Sequence, residues 1–412
     1  MRPRLKRIEG APVVAARLLL AGGSRCEAIP GQALLTGRLL TEGTRRRSWE
    51  AIAAEAEGRG MILSSFGGYE THGLAIDALA ADWQLALEWL AELAFGSVFP
   101  EDRLRWLARQ AAAELEAQAD QADLMTARAF AEQMYAPHPR GRPLQGDPAS
   151  LAALDPERCR EFHSAALGWG AYLSVAGEID EAQVEALAGE LFGGLPAAAG
   201  RGGDARPVPA SPSTTPVARR DIFTQAEDQA HLFMGSRTVA RAHPDFPALE
   251  LAAVLLGTGA GLTGRIPQRI REREGLAYTA TADTVGGAGI DEGRLLCYVG
   301  TAPETLDQAE ASVRDELARF LAEPIATQEL ESARSFLLGR EPFRRETARQ
   351  WADLMAMSEL LDLPLDDPDW TSDQIRQLTA GEVEAAARRW IDPERLLVTR
   401  GLPTSRESAR PT

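Results

Sequence analysis

Two homologous domains of α+β class, each a mainly antiparallel sheet covered by helices, are predicted by three features of the sequence. The chain has 412 residues, more than one ordinary core accommodates, and 45% of them are hydrophobic, enough to fill two or three. Residues 196–218, PAAAGRGGDARPVPASPSTTPVA, are rich in Pro, Gly, Ala and Ser without periodicity and read as a linker. The passages on its two sides repeat: Leu154, Leu173 and Gly177, in a helix-then-strand stretch, have counterparts at Leu378, Leu397 and Gly401, an offset of 224 residues that Pro100 and Pro324 share. The expected domains are therefore 1–195 and 219–403, with a tail at 404–412.

In chain order, Val13 to Leu20 is an apolar, β-rich run interrupted by Arg17 and reads as a strand, with turn-rich GGSRCEAIPGQ after it. Helices are expected at Ala33–Leu40 and Ser48–Glu57, and a strand at Gly73–Leu79. Trp83, Leu87 and Leu90 fall on one helical face, and a long helix is expected from about Glu101 to Gln118, with extension beyond Asp120 as an alternative. After the linker come a strand at His231–Met234, a helix at Ala248–Leu256, a strand at Arg294–Val299 and an amphipathic helix carrying Val313, Leu317 and Phe320.

Formal net charge is −16, which disfavours nucleic acid and anionic membrane surfaces as partners. Cys26, Cys159 and Cys297 are widely spaced and odd in number, so neither a disulfide framework nor a zinc ribbon is indicated, and a cytoplasmic location fits. The basic and apolar start is interrupted by Glu9 and Arg17, unlike a signal peptide, and no apolar run approaches the ~18 residues of a membrane span. His72, His138, His163, His231 and His243 are scattered singly, without metal-ligand spacing.

The most specific stretch lies between Gly257 and Tyr278. Gly257, Gly259, Gly261 and Gly264 lead into a segment with Ile266 and Ile270 on one helical face and Arg265, Arg269 and Arg273 on the solvent side. Arg271 and Arg273 suit the last turn, Gly275 suits a left-handed cap, and Leu276 starts an extended run. Two readings stand: a capped surface helix entering a strand, or a turn that aims the Arg271 guanidinium and the Tyr278 phenol at one ligand. Both groups can donate to a carbonyl or an oxyanion.

RIPQRIREREGLAY, residues 265–278, resembles the segment of the pitrilysin/insulinase family of zinc metallopeptidases in which an Arg and a Tyr flank a Gly-Leu-Ala turn. GSRCEAIPGQALLTGRLLTEGT resembles that family's stretch around HxxEH, the zinc motif whose two His bind metal and whose Glu activates water. Counted back from Gly43, the His positions fall on Leu34 and Arg38 and the Glu position on Gly37; all three groups are missing. Glu114 stands near the place of the third ligand and reads as a solvated residue without partners. HPRGRPLQGDPASLAALDPERCREFH resembles a further family segment, with Arg140 in place of a Tyr, and the resemblance spans roughly residues 10 to 403.

The resemblance implies a half-clam metallopeptidase fold and the non-catalytic subunit of a two-chain zinc peptidase. This chain would hold no metal. Zinc would reside in an HxxEH-bearing partner of a heterodimer, and Arg271 and Tyr278 would reach an unstructured peptide bound there, with the four glycines letting it approach. A structural or assembly subunit without a role in catalysis is the alternative. A glycine-loop anion site is a third reading, and the stretch lacks GxxxxGK[ST].

Overall fold

The computed structural model describes residues 1–196, 217–224, 229–258, 264–364 and 369–404. All of the expected linker except residues 196, 217 and 218, and all of the expected tail except residue 404, lie outside the described residues.

Among the described residues, strands form two five-stranded sheets of the same topology. β1 (Arg4–Arg7), β2 (Val13–Ala21), β3 (Ile62–Gly67), β4 (Thr71–Leu79) and β5 (Ala171–Gly177) make the first, ordered β1-β5-β2-β4-β3. β6 (Arg219–Thr224), β7 (Ala230–Arg237), β8 (Ala277–Gly286), β9 (Arg294–Thr301) and β10 (Leu397–Pro403) make the second, ordered β6-β10-β7-β9-β8. In each sheet the first and last strands pair in parallel and the other pairings are antiparallel.

The repeat seen in the sequence is thus a repeat of structure. Pro156–Trp169 and Ala380–Trp390 are equivalent helices, started by the Asp155 and Thr379 side chains, which accept from Arg158 N and Glu382 N. Each helix feeds the strand, β5 or β10, that carries the repeated Leu and Gly. A side chain is excluded at both glycines: a Cβ on Gly177 would lie 2.5 Å from the Val13 carbonyl oxygen, and one on Gly401 would lie 2.0 Å from Thr126 Oγ1.

Strands β1, β3 and β6 were not expected. RLKR, ILSSFG and RRDIFT lack a clean apolar alternation because each lies at a sheet edge, where one side of the ladder is open and charged or polar residues are tolerated. The helix expected over Glu101–Gln118 is observed as Glu101–Ala119; the extension past Asp120 is interrupted, and a separate helix runs over Ala122–Tyr135.

That break matters because the chain divides into two compact units that are not continuous in sequence. The first comprises Met1–Leu115 with the described parts of Arg142–Pro209 and Pro342–Asp366; the second takes Glu116–Gly141 with the described parts of Ala210–Glu341 and Asp367–Thr412. The sheets follow the expected boundaries, but one helix in each unit does not. In the second unit Phe130, Met134 and Tyr135 pack on Phe233 of β7 and Leu397 of β10. In the first, Ala348 and Ala352 of the Ala348–Leu360 helix lie on Ala15 of β2 and Ala176 of β5, and Ser174 Oγ donates to the Ala352 carbonyl at 2.7 Å.

The same helix explains Arg17 in the middle of an apolar strand. Arg17 is 5% exposed and donates to Asp77 of β4 at 2.8 Å and to Asp353 of the helix at 2.5 Å. Asp77 also receives Arg349 at 2.5 Å. Arg17 and Asp77 each keep a second partner when the other is removed, Asp353 and Arg349 respectively, so a single removal costs less than the ~3–5 kcal/mol of a buried pair whose remaining charge is left unpaired.

Because four alanines set the distance between helix and sheet, Ala352→Leu is expected to destabilise the first unit by about 1–3 kcal/mol in urea unfolding, the usual penalty for overpacking.

Candidate functional site

The Gln32–Leu39 helix carries the positions where the resemblance places the zinc motif. Its N-cap, Gly31, has φ +87° and no side chain to offer the first turn. Glu27 takes over: its Oε2 accepts from Ala33 N at 3.0 Å. Burial pushes the Glu27 carboxyl up to about 7, against the backbone N–H groups of Ala33, Gly31 and Gln32, which pull it down.

Leu34 is buried in the core. At Gly37 the helix backbone rests on the neighbouring strand: a Cβ there would stand 2.1 Å from the Phe66 carbonyl oxygen, and one on Gly67 would stand 2.3 Å from that of Ala33. Arg38 Nη1 and Nη2 each lie 3.4 Å from an oxygen of Glu114. Glu114 therefore has a partner, contrary to its expected solvation; the separation of 76 residues hid an ion pair from a reading by local spacing. The pair is partly exposed and worth at most about 1 kcal/mol.

This donor set does not fit zinc. It offers an alkyl group, a hydrogen, a single carboxylate and a fixed guanidinium charge where a cation would sit. Among the described residues no group of three or more His, Cys, Asp and Glu could hold a metal ion.

In the second unit the structure brings Arg271 and Tyr278 together. Helix Arg265–Pro267 passes into a π-helical turn, Gln268–Arg273, and Gly275 follows at φ +63°. The Leu276 N–H crosses that glycine to the Ile270 carbonyl at 2.9 Å, and both side chains are buried. The edge strand β8 then begins with a register shift between Ala277 and Thr279, so Tyr278 is the extra residue of a bulge. Tyr278 is 77% exposed, and the Arg271 guanidinium lies 4.6 Å from its ring centroid. Arg271 also approaches Glu272 at 3.5 Å.

The turn is braced from beneath. Arg265 and Arg269, expected on the solvent side, are ion-paired: Arg265 grips Glu329 with two bonds of 2.7 Å, and Arg269 donates to Glu274 at 2.7 Å and to Asp315. Ser312 Oγ donates to the other Glu274 oxygen at 2.5 Å. Arg273 is exposed. Of the four glycines, Gly259 and Gly261 lie outside the described residues. Gly257 and Gly264 touch through their backbones: a Cβ on Gly264 would fall 2.5 Å from Gly257 Cα, and one on Gly257 would fall 2.4 Å from Ala282 N. Packing alone requires glycine at these two positions.

The histidines are not all single. His72 and His163 meet in the core of the first unit at 3.2 Å, and His231 Nδ1 meets Tyr298 Oη at 3.1 Å in the second. Separations of 91 and 67 residues leave no local signal for either contact.

Two family descriptions match the chain: "Insulinase (Peptidase family M16)" over residues 5–148 and "Peptidase M16 inactive domain" over residues 158–337. An uncharacterized zinc protease of Mycobacterium tuberculosis is 28% identical over 378 residues, covering 90% of this chain and 84% of that one. Among solved structures, a peptidase M16 inactive domain from Pseudomonas fluorescens superposes with a TM-score of 0.88 at 24% identity, over 97% of this chain and 95% of that one. A protease from Helicobacter pylori does so with 0.82 at 18% identity, over 97% and 96%.

Two measurements probe the first-unit helix. Gly37→Glu should cost about 3 kcal/mol of stability in denaturant unfolding, since the new side chain meets backbone and cannot swing away. Glu27, with a folded-state pKa raised to about 7 from 4.5, contributes stability that is present below 4.5 and lost as the pH rises through about 7. Relative to Glu27→Gln, wild type should lose stability as the pH rises from 5 to 7.5.

Proposed function

We propose that this chain, which belongs to the insulinase family of peptidases, is the substrate-holding, non-catalytic subunit of a two-chain zinc peptidase. The carrying observation is the contrast between its two candidate sites: a donor set that does not fit zinc at Leu34, Gly37, Arg38 and Glu114, and an Arg271–Tyr278 pair stacked on an exposed bulge.

In this reading the zinc, and the water it activates, belong to an HxxEH-bearing partner in a heterodimer. The residues of this chain bind and orient. The Tyr278 hydroxyl donates to the scissile carbonyl oxygen, and the Arg271 guanidinium holds neighbouring carbonyls, so that negative charge developing on the oxygen meets donors already in place. The stack on Arg271 limits the orientations of the phenol, which lowers the entropy lost when it engages substrate. An unstructured peptide is the substrate class, since its free backbone can also add to an open sheet edge. Cys159 and Cys297, both buried thiols, accord with a cytoplasmic location.

The test is cleavage of an internally quenched peptide by an HxxEH-bearing relative from the same organism, with and without this chain. Activity should require the wild-type chain, and Tyr278→Phe should lower kcat about 10²–10³-fold, the usual loss for one oxyanion donor. Full activity of the relative alone, or of the variant pair, would leave the structural or assembly role in its place.

A further inference from the structure

His72 on β4 and His163 on the Pro156–Trp169 helix are both buried and form the middle of a chain of three contacts. His72 Nδ1 lies 2.9 Å from the Gly22 carbonyl oxygen, His72 Nε2 lies 3.2 Å from His163 Nδ1, and His163 Nε2 lies 2.7 Å from the Ala94 carbonyl oxygen. Each contact is a hydrogen bond only if it contains one N–H. Two neutral imidazoles carry two N–H groups between them, and neither carbonyl can supply a third. In every tautomeric arrangement of the neutral pair, at least one contact sets two lone pairs against each other.

We propose that His72 and His163 form a one-proton clasp in the first unit, which is one bond short when both rings are neutral and closes all three contacts when the pair takes up a single shared proton. The clasp joins four elements: the end of β2 at Gly22, β4, the Pro156–Trp169 helix and the C-terminal turn of the Trp83–Gly96 helix. Ala94 lies in that last turn, where the carbonyls point outward with the negative end of the helix dipole, so a positive charge on the pair is favoured at this end.

The groups packed around the rings are uncharged. Leu20 of β2 and Gly67 of β3 flank His72 in the sheet, Phe162 lies beside the His72 ring and Phe99 beside the His163 ring, and Trp169 packs edge-on to Phe162. Cys159, one turn before His163, is a neutral thiol pushed up to about 11 by burial. Burial, followed by the charge of His163, lowers His72, and burial lowers His163 against the Ala94 carbonyl. Uptake is thereby moved below the ordinary histidine range of about 6.5, and a second proton is opposed by the first. The sign follows: the unfolded chain takes up protons on both rings as pH falls through that range, the folded chain takes at most one, and stability is lost on acidification.

Long-range proton–nitrogen spectra of the full chain with ¹⁵N-labelled histidine, recorded from pH 7.5 to 4.5, test this directly. The expected result is one midpoint common to His72 and His163, with a total uptake of one proton. Two independent midpoints, or no change in either ring before acid unfolding, would overturn it. Folding equilibria give a second reading. Relative to a His72→Leu/His163→Leu variant, wild type should lose about tenfold in its folding constant per pH unit below the shared midpoint that the spectra give. A hundredfold loss per unit that continues below that midpoint would mean that the folded pair holds no proton and would refute the clasp. Should the double variant not fold, the spectra of the wild-type chain decide alone.

Discussion

A five-stranded sheet has two faces to bury, and each sheet here covers one of them with a helix from the opposite half of the chain. The Ala348–Leu360 helix lies on β2 and β5, and the Ala122–Tyr135 helix lies on β7 and β10. The first contact is between alanines and is held by the Arg17, Asp77 and Asp353 charges; the second is between aromatic and large apolar side chains and needs a glycine at 401, where Thr126 approaches. One topology therefore tolerates two different solutions to the same burial problem. Residues that look misplaced in sequence, a strand arginine and a buried threonine, belong to these contacts.

The two candidate sites differ in the same physical terms. At Gly37 and Gly67 two backbones have closed to a distance at which no Cβ fits, and at Arg38 a fixed positive charge faces Glu114. Such an arrangement repels a cation by charge and excludes a catalytic side chain by volume. Around Arg271 and Tyr278 the structure does the opposite: ion pairs to Glu329, Glu274 and Asp315 hold the π-helical turn, Gly275 reverses the chain, and the bulge leaves Tyr278 in solvent. The bracing falls on residues behind the pair, and the Tyr278 phenol itself stays exposed.

Much of this was legible in the chain. Periodicity located β2, β4, β7 and β9 and the helices that follow them, because a half-buried strand or helix must alternate its apolar residues. The 224-residue offset disclosed the repeated helix-strand unit, because capping and close packing demand the same residue types in both copies. The Gly275 turn and the approach of Arg271 to Tyr278 were also readable, being separated by only a few residues of fixed conformation.

What the sequence by itself determined were the local elements, the twofold repeat and the absence of HxxEH, all set by residue type and short-range spacing. Tertiary structure alone decided which helix covers which sheet, that Arg38 meets Glu114, and that two scattered histidines share a contact chain. These contacts join residues tens to hundreds of positions apart, and their free energy comes from burial and charge in the folded core. No local pattern records them, since neither partner needs a particular neighbour in sequence to make the contact.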